Sequence, residues 1–213
     1  MESRPQGLRI VADVPRTKRV RVLLGESHIL TTSRDVLRAT HIREGADLSA
    51  EAVASLVREN ESECARQRAL RLLAHRERSE HEIRRRLVGD GYPEEIADAI
   101  VARLAEVSLI DDQRFSAALV RTKRAAGWGR NRIARALKDS GVDDDAAHAA
   151  LDAECPEDAE RSRAEQVAKG MPRENRKGRE RVLRRLLSRG FTWEDALAVT
   201  SFRDDEDHSN EPI

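Results

Sequence analysis

Hydrophobic positions along the chain follow two different periods, and the change between them divides the sequence. Leu8 and Ile10, and then Val20, Val22 and Leu24, alternate with charged residues, which is the period of two that half-buried strands show, and residues 28–31 resume the pattern. Gly25 interrupts this alternation, so we predict a β-hairpin that turns there. From Ala65 onward, apolar residues recur every three or four positions, which predicts amphipathic helices.

Two short helices are predicted between the strands and the helical region. Thr32 or Ser33 can cap the first, which ends at Gly45, and Ser49 can cap the second. Residues 8–62 therefore read as a small β/α unit. Such a unit buries too little apolar surface to be very stable alone, so we expect it to pack on the helices that follow.

A triplet of residues spaced by four occurs three times in the helical region. In each triplet, Ile or Val and then Leu lie on one helix face, and Gly follows where a left-handed C-cap residue is needed. With periods of 50 and 49 residues, the triplets are Ile83-Leu87-Gly91, Ile133-Leu137-Gly141 and Val182-Leu186-Gly190. Each is preceded by a leading helix and followed by a helix start, which predicts three diverged three-helix repeats that gain a shared core by stacking.

These elements predict a mainly α protein in which three tandem three-helix repeats form an elongated array after a small N-terminal β-hairpin/helix unit. The composition agrees, because charged residues make up 37% of the chain and aromatic residues only 3%. The predicted divisions are disordered residues 1–7, the β/α unit at 8–62, repeat 1 at 63–110, repeat 2 at 111–155, repeat 3 with a basic linker (169–181) at 156–202, and an acidic disordered tail at 203–213.

The net charge of zero conceals a segregation of charge. Residues 169–189 hold nine Lys or Arg and two Glu, whereas residues 203–213 hold one Arg and five acidic residues. Basic residues also surround the Ile or Val of each middle helix, and cations that recur at one repeat position can form a stripe that neutralises phosphates. The candidate residues for binding a polyanionic partner are Arg84, Arg85, Arg86, Arg130, Arg132, Arg135, Arg176, Lys177, Arg179, Arg181, Arg184 and Arg185.

A solvated helix face explains many of these arginines without any ligand. Arg is a good helix former that mostly lies at the surface, and Glu82 can pair with Arg86 one turn away. This interpretation is favoured for single arginines of repeats 1 and 2. In repeat 3, a local charge of +7 over residues 169–189 exceeds what nearby acids can balance. Trp128 can stack on a base or a partner, but stapling the middle helix of repeat 2 to its leader is favoured.

The residues do not form a catalytic or metal-binding pattern. Cys64 and Cys155 are isolated and are expected to be reduced thiols. An N-cap explains Asp111-Asp112, and the six His are scattered without a Ser or Cys partner. No apolar run reaches the ~20 residues of a membrane span, and no signal peptide is recognised. We therefore expect a cytoplasmic, monomeric, non-enzymatic protein without a cofactor, a metal or a membrane partner.

Several short stretches occur across the helical region in a familiar order and spacing. They are Ala69-Leu70-Arg71-Leu72-Leu73 with Arg78-Ser79 and Glu82, Leu109-Ile110-Asp111-Asp112 with Arg114-Phe115, Gly127 and Gly129 with Arg132-Ile133, Leu137 and Gly141-Val142, and Arg189-Gly190-Phe191. Together they resemble the RecX family, regulators of the bacterial recombinase RecA. Glu77 and Arg130 depart from the pattern, because both stand where the family often has Pro at the start of a middle helix.

The resemblance implies a non-enzymatic modulator that binds along the groove of the RecA–single-stranded DNA filament. It implies suppression of ATP hydrolysis and strand exchange in recombination, DNA repair and the SOS response, with DNA itself as a second candidate partner. Two alternatives stay open. One is a general helical nucleic-acid-binding protein without a recombinase partner, and the other is a helical scaffold for a different protein.

Overall fold

A computed structural model gives the fold of most of the chain. The residues that it describes are 8–12, 19–24, 26–46 and 49–201. Three expectations fall outside them: the disorder of residues 1–7, the disorder of residues 203–213, and the turn at Gly25. The strands are β1 (Leu8–Ala12), β2 (Arg19–Leu24) and β3 (Ser27–Ser33). The helices are α1 (Arg34–Ala39), α2 (Ala50–Leu73), α3 (Glu80–Gly89), α4 (Glu94–Glu106), α5 (Asp112–Ala125), α6 (Arg130–Asp139), α7 (Asp144–Glu154), a short 3₁₀ helix (Glu157–Ala159), α8 (Glu160–Ala168), α9 (Arg176–Arg189) and α10 (Trp193–Thr200).

Two compact units divide the chain. The first consists of residues 1–76 and 83–107, and the second of residues 77–82 and 108–213. The division falls inside α3, whose first turn belongs to the second unit. Within the first unit, α2 packs on α4. Within the second unit, α5 packs on α6 and α7, and α10 packs on α8 and α9.

A three-stranded antiparallel sheet with the order β1-β2-β3 begins the first unit. The predicted alternation is confirmed in β2, where Val20 and Val22 are buried while Arg19 and Arg21 are exposed. Because β1 also pairs with β2, the predicted hairpin is part of a larger sheet. The apolar core on this sheet consists of Leu8, Val20, Val22, Val36, Leu37, Ile42 and Leu56. Leu56 belongs to α2, so the sheet packs on the helix that leads into repeat 1, as expected.

Two helix boundaries in this region differ from the predicted ones. Helix α1 ends at Ala39 and not at Gly45, because the Thr40 hydroxyl donates to the Val36 carbonyl at 2.9 Å and satisfies the helix end. The two helices predicted on either side of residue 62 are one 24-residue helix, α2. No Gly or Pro occurs within α2, so nothing in its sequence ends the helix there.

The same cap closes the middle helix of each repeat. Gly91, Gly141 and Gly190 have φ angles of 95°, 70° and 89°, in the left-handed region that glycine adopts without steric cost. The amide after each glycine donates to the carbonyl of the Leu in its triplet, at 3.2 to 3.3 Å. These bonds run from Tyr92 to Leu87, from Val142 to Leu137 and from Phe191 to Leu186. The predicted triplet is therefore one helix-ending geometry used three times.

The predicted core positions of the triplets are confirmed. The Ile, Val and Leu of all three triplets are fully buried. Phe115 lies in the core of repeat 2 and Phe191 in the core of repeat 3. Tyr92, which follows Gly91, is only half-buried.

The predicted basic linker of repeat 3 is shorter than expected. Residues 169–175 connect α8 to α9, and residues 176–181 form the first turns of α9. The Asn175 side chain starts this helix by accepting from the Gly178 amide at 2.8 Å. As a result α9 has 14 residues, against ten in α3 and ten in α6, and most of the basic charge lies on a helix.

Gly129 joins repeats 2 and 3 through a close backbone contact. Its N–H donates to the Arg189 carbonyl at 2.8 Å, and a Cβ atom on Gly129 would lie 2.5 Å from the Gly190 carbonyl carbon. We expect Gly129→Ala to lower the free energy of unfolding by roughly 2 kcal/mol, because backbone must move to admit the methyl group. Urea unfolding measures this change.

Gly89→Ala is the matched control. A Cβ at Gly89 meets nothing within 4 Å, and the residue lies in helix α3, so alanine should raise stability by up to about 1 kcal/mol. Equal effects of the two substitutions would contradict the close contact at Gly129.

Candidate nucleic-acid interface

The first candidate cation, Arg84, is held by two carboxylates of α4. Its Nε donates to Asp98 at 2.5 Å, and its Nη2 donates to Glu94 at 2.8 Å. The hydrogen bond to Asp98 and then the one to Glu94 raise the pKa of Arg84. These bonds tie α3 to α4, so the charge of Arg84 is already balanced.

The other cations of α3 differ in their partners. Arg86 lies 4.0 Å from Asp90, while Glu82 lies 3.8 Å from Arg78. The pairing of Glu82 with Arg86 that we considered is therefore replaced by two other pairs. Arg85 is exposed and has no acidic partner among the described residues.

Arg130 supports the packing of α6 on α7. Its side chain is only 14% exposed. One guanidinium nitrogen donates to the Cys155 carbonyl at 2.7 Å, and another donates to Asp152 at 2.6 Å. These contacts satisfy Arg130 inside the protein and leave little of its charge at the surface.

Trp128 packs against the core of repeat 2 and is contacted by two cations. The Arg132 guanidinium carbon lies 3.8 Å from the ring centroid, and Lys123 Nζ lies 4.6 Å from it. Lys123 belongs to α5 and Arg132 to α6, so the ring links these two helices. This geometry favours the stapling interpretation of Trp128 over stacking on a base.

Exposed cations without acidic partners collect on one face of α9. Lys177, Arg181 and Arg185 are spaced by four, and Arg184 lies beside them on the same face. All four are exposed, and within the described part of the chain none forms an ion pair. Arg184 Nε donates only to the backbone carbonyl of Glu180, at 3.2 Å. We call these four residues the α9 cationic face.

The two remaining candidates of α9 lie outside this face. Arg176 is paired with Glu180 through a 2.9 Å hydrogen bond from its Nε. Arg179 is half-buried. The structure thus divides the basic cluster that the sequence shows into an unpaired face and cations with other surroundings.

One repeat position carries an exposed arginine in all three middle helices. Arg85, Arg135 and Arg184 each follow the buried Ile or Val of their triplet by two residues. Arg135, like Arg85, has no acidic partner among the described residues. The recurrence gives each repeat one unbalanced cation at the same place.

A buried polar cluster lies between repeats 2 and 3 and was not predicted from the sequence. Glu160 is 3% exposed, Arg163 is 8% exposed, and the two side chains form an ion pair. Arg163 also donates to the Trp128 carbonyl at 2.7 Å. The second carboxylate oxygen of Glu160 accepts from the Arg130 amide at 2.8 Å and so caps α6.

Cys155 completes this cluster, and the ionisation of its thiol makes the free energy of unfolding depend on pH in the alkaline range. Burial, and next the hydrogen bond to Glu160, raise the pKa of its thiol from 9.0 to about 11. The thiol therefore ionises in the unfolded chain before it does so in the folded one. We expect stability to fall between about pH 9 and pH 11, by roughly 2 to 3 kcal/mol in all.

Urea unfolding at pH 8 and at pH 10.5, in wild type and Cys155→Ala, isolates this contribution. The variant should lose less stability than wild type between the two pH values, because it has no thiol to ionise. Identical losses would show that Cys155 does not titrate as its surroundings require.

The two aspartates at the start of α5 act as caps. Asp111 accepts from the Arg114 amide at 2.9 Å, which confirms the predicted N-cap, and Asp112 accepts from the Glu80 amide at 2.9 Å. In the part of the chain that the structure describes, no group of three or more His, Cys, Asp or Glu side chains is placed to hold a metal ion. Nor does any helix there have the length and apolar character to cross a membrane.

Comparisons with known proteins give the family. A profile of the RecX first three-helix domain matches residues 65–104, and one of the RecX second three-helix domain matches residues 111–151. The chain is 38% identical over 154 residues to the regulatory protein RecX of Mycolicibacterium vanbaalenii, which covers 65% of this chain and 82% of that protein. The chain belongs to the RecX family.

Other RecX proteins support this membership and the fold. The regulatory protein RecX of Geobacillus kaustophilus is 32% identical over 176 residues, 80% of this chain and 65% of that protein. A crystal structure of a regulatory protein RecX superposes with a TM-score of 0.67 at 23% identity, covering 91% of this chain and 98% of that one. The crystal structure of RecX from Lactobacillus salivarius gives 0.57 at 21% identity, covering 65% and 94%. The predicted fold, three-helix repeats after a small strand-containing unit, is thereby confirmed.

Proposed function

We propose that this RecX-family chain is a cytoplasmic, non-enzymatic regulator of RecA. In this proposal it binds the RecA–single-stranded DNA filament and inhibits ATP hydrolysis and strand exchange in recombination and DNA repair. A relative from Mycobacterium ulcerans that is 39% identical over 144 residues is named a regulatory protein. The observation that carries the proposal is the α9 cationic face, which offers four unbalanced positive charges.

The α9 cationic face suits a polyanionic strand. From Lys177 to Arg185 the helix advances by about 12 Å, a length comparable to several phosphate spacings of ~3.4 Å per strand in B-DNA. Cations without acidic partners release counterions from the nucleic acid when they bind, and they lose no ion pair of their own. Arg85 and Arg135 add one unbalanced cation to each of the other repeats.

Inhibition is expected to come from binding to the filament and not from a reaction catalysed by this chain. The candidate residues are arginines and a lysine on helix faces, a set suited to phosphate contacts. A protein of this kind lowers ATP hydrolysis by restraining the filament, so the effect should follow the bound fraction.

The alternative of a general nucleic-acid-binding protein is tested by comparing affinities for a labelled single-stranded oligonucleotide, bare and coated with RecA. Fluorescence anisotropy at several salt concentrations reports both. We expect tighter binding to the RecA-coated strand. Tight, salt-sensitive binding to the bare strand that is indifferent to RecA would favour the alternative. Binding to neither would favour a scaffold for another protein.

A further inference from the structure

The acidic segment at residues 203–213 has no role in the proposed function, and its charge opposes that of the α9 cationic face. The segment holds one Arg and five acidic residues, a net charge of −4, and four of the acids are consecutive at positions 204–207. The α9 cationic face carries four positive charges, which form no ion pair with any described residue. The segment and the face are therefore equal in charge and opposite in sign.

The last described residue, Ser201, lies beside the segment that leads into α9. Ser201 lines one cavity together with Arg173 and Glu174, which belong to that segment. The Arg173 guanidinium also donates to the Val199 carbonyl at 3.0 Å, and this bond holds the end of α10 against the segment. Because α9 begins at residue 176, the chain beyond Ser201 starts near the first turn of this helix.

The consecutive acids are near enough along the chain to reach the whole face. Asp204 follows Ser201 by three residues and Asp207 follows it by six, which allows at most roughly 10 to 20 Å of extended chain. The face itself extends along α9 by about 12 Å, from Lys177 to Arg185. A tethered segment has an effective concentration in the millimolar range, so weak surface ion pairs are sufficient to hold it there.

No acid within α9 balances the cations of this face. The single acid of the helix, Glu180, is paired with Arg176 at 2.9 Å, and it contacts Arg184 only through its backbone carbonyl. Like charges that are spaced by four residues on a helix destabilise each other. An acidic segment that lies over the face would therefore relieve a repulsion that the helix cannot relieve by itself.

We propose that residues 203–213 bind the α9 cationic face of the same chain when no nucleic acid is present, and that nucleic-acid phosphates must displace them. The segment then acts as an intramolecular competitor. It lowers the affinity for nucleic acid most at low salt, where ion pairs are least screened. This inference rests on the proposed function, in which the same face binds the filament.

A full-length variant with a neutral segment, Asp204→Asn, Asp205→Asn, Glu206→Gln and Asp207→Asn, tests the contact directly. Two-dimensional NMR spectra of the isotope-labelled wild type and variant should differ at the amides of residues 177–185 in low-salt buffer. The differences should disappear at about 0.5 M salt, where charges are screened within a few ångströms. Identical α9 amide shifts in the two proteins at low salt would overturn the proposal.

The same variant tests the competition. Its affinity for a labelled single-stranded oligonucleotide should exceed that of wild type by about three- to tenfold at low salt. In a chain that already carries Lys177→Gln, Arg181→Gln and Arg185→Gln, neutralising the segment should change affinity by less than about twofold, because most of the face that it contacts is lost. A gain of equal size in both backgrounds, or no gain in either, would overturn the proposal.

The matched control replaces four other acids by glutamine: Glu44, Glu51, Glu59 and Glu95. They are exposed residues of the first unit, and none has a basic partner among the described residues. Their replacement changes the net charge equally and should leave the α9 amide shifts and the affinity nearly unaltered. An equal gain in affinity would overturn the proposal, because net charge alone would then explain it. Neither readout contains RecA, so an ATPase titration without effect would contradict the proposed regulation of RecA while these readouts still decide the contact.

Discussion

Replacing Lys177, Arg181 and Arg185 together by glutamine is expected to weaken binding to the RecA–single-stranded DNA filament by roughly 10- to 100-fold. The three side chains are exposed and unpaired, so their removal costs the protein no internal contact. If each neutralises one phosphate of a single strand, the slope of log affinity against log salt should fall by about 2. Anisotropy titrations at several salt concentrations measure both quantities.

A second triple variant separates the α9 cationic face from net charge. Arg38, Arg103 and Arg121 are exposed arginines that are each paired with an acid, Asp35, Glu106 and Glu154. Their replacement by glutamine lowers the net charge equally and should change affinity and salt slope little. If this variant binds as weakly as the first, the total charge of the chain and not the α9 cationic face determines binding.

Arg163→Met is expected to lower the free energy of unfolding by about 3 to 5 kcal/mol. The substitution leaves Glu160 as a buried charge without its partner, and it removes the donor to the Trp128 carbonyl. Surface ion pairs, such as the one between Arg38 and Asp35, contribute only about 0 to 1 kcal/mol. Urea unfolding followed by circular dichroism should show this difference clearly.

The double variant Glu160→Gln, Arg163→Met serves as the control for a charge effect. Because both charges are then absent, it should regain part of the stability that Arg163→Met loses. A loss below about 1 kcal/mol in the single variant would mean that the pair acts like a surface ion pair. A double variant less stable than Arg163→Met would show that shape and not charge governs the site.

The parts of the fold that the sequence predicted depend on local rules. A Gly that follows a buried helical Leu by four residues favours the left-handed conformation that ends a helix. Gly91, Gly141 and Gly190 all adopt this conformation. Ser33, Ser49 and Asp111 lie just before helices, and each accepts from an amide three residues on. Such signals act within one turn of the chain, so they can be recognised without the tertiary structure.

The parts that the sequence did not predict depend on contacts between distant residues. Arg84 is balanced by acids 10 and 14 residues away, beyond the turn between α3 and α4. Glu160 and Arg163 have the spacing of an ordinary charged helix face, and their burial depends on Trp128 and Arg130 in the preceding repeat. The sequence therefore located the basic cluster of repeat 3, but the structure was needed to separate its unpaired cations from the paired ones.

The proposed regulation of RecA is tested most directly by titrating the chain into RecA that hydrolyses ATP on single-stranded DNA. We expect the rate to fall at substoichiometric to stoichiometric ratios of the chain to RecA. The variant that lacks Lys177, Arg181 and Arg185 should require about tenfold more protein for the same effect. A rate that changes in neither direction across this range, with wild-type protein at low salt, would contradict the proposal.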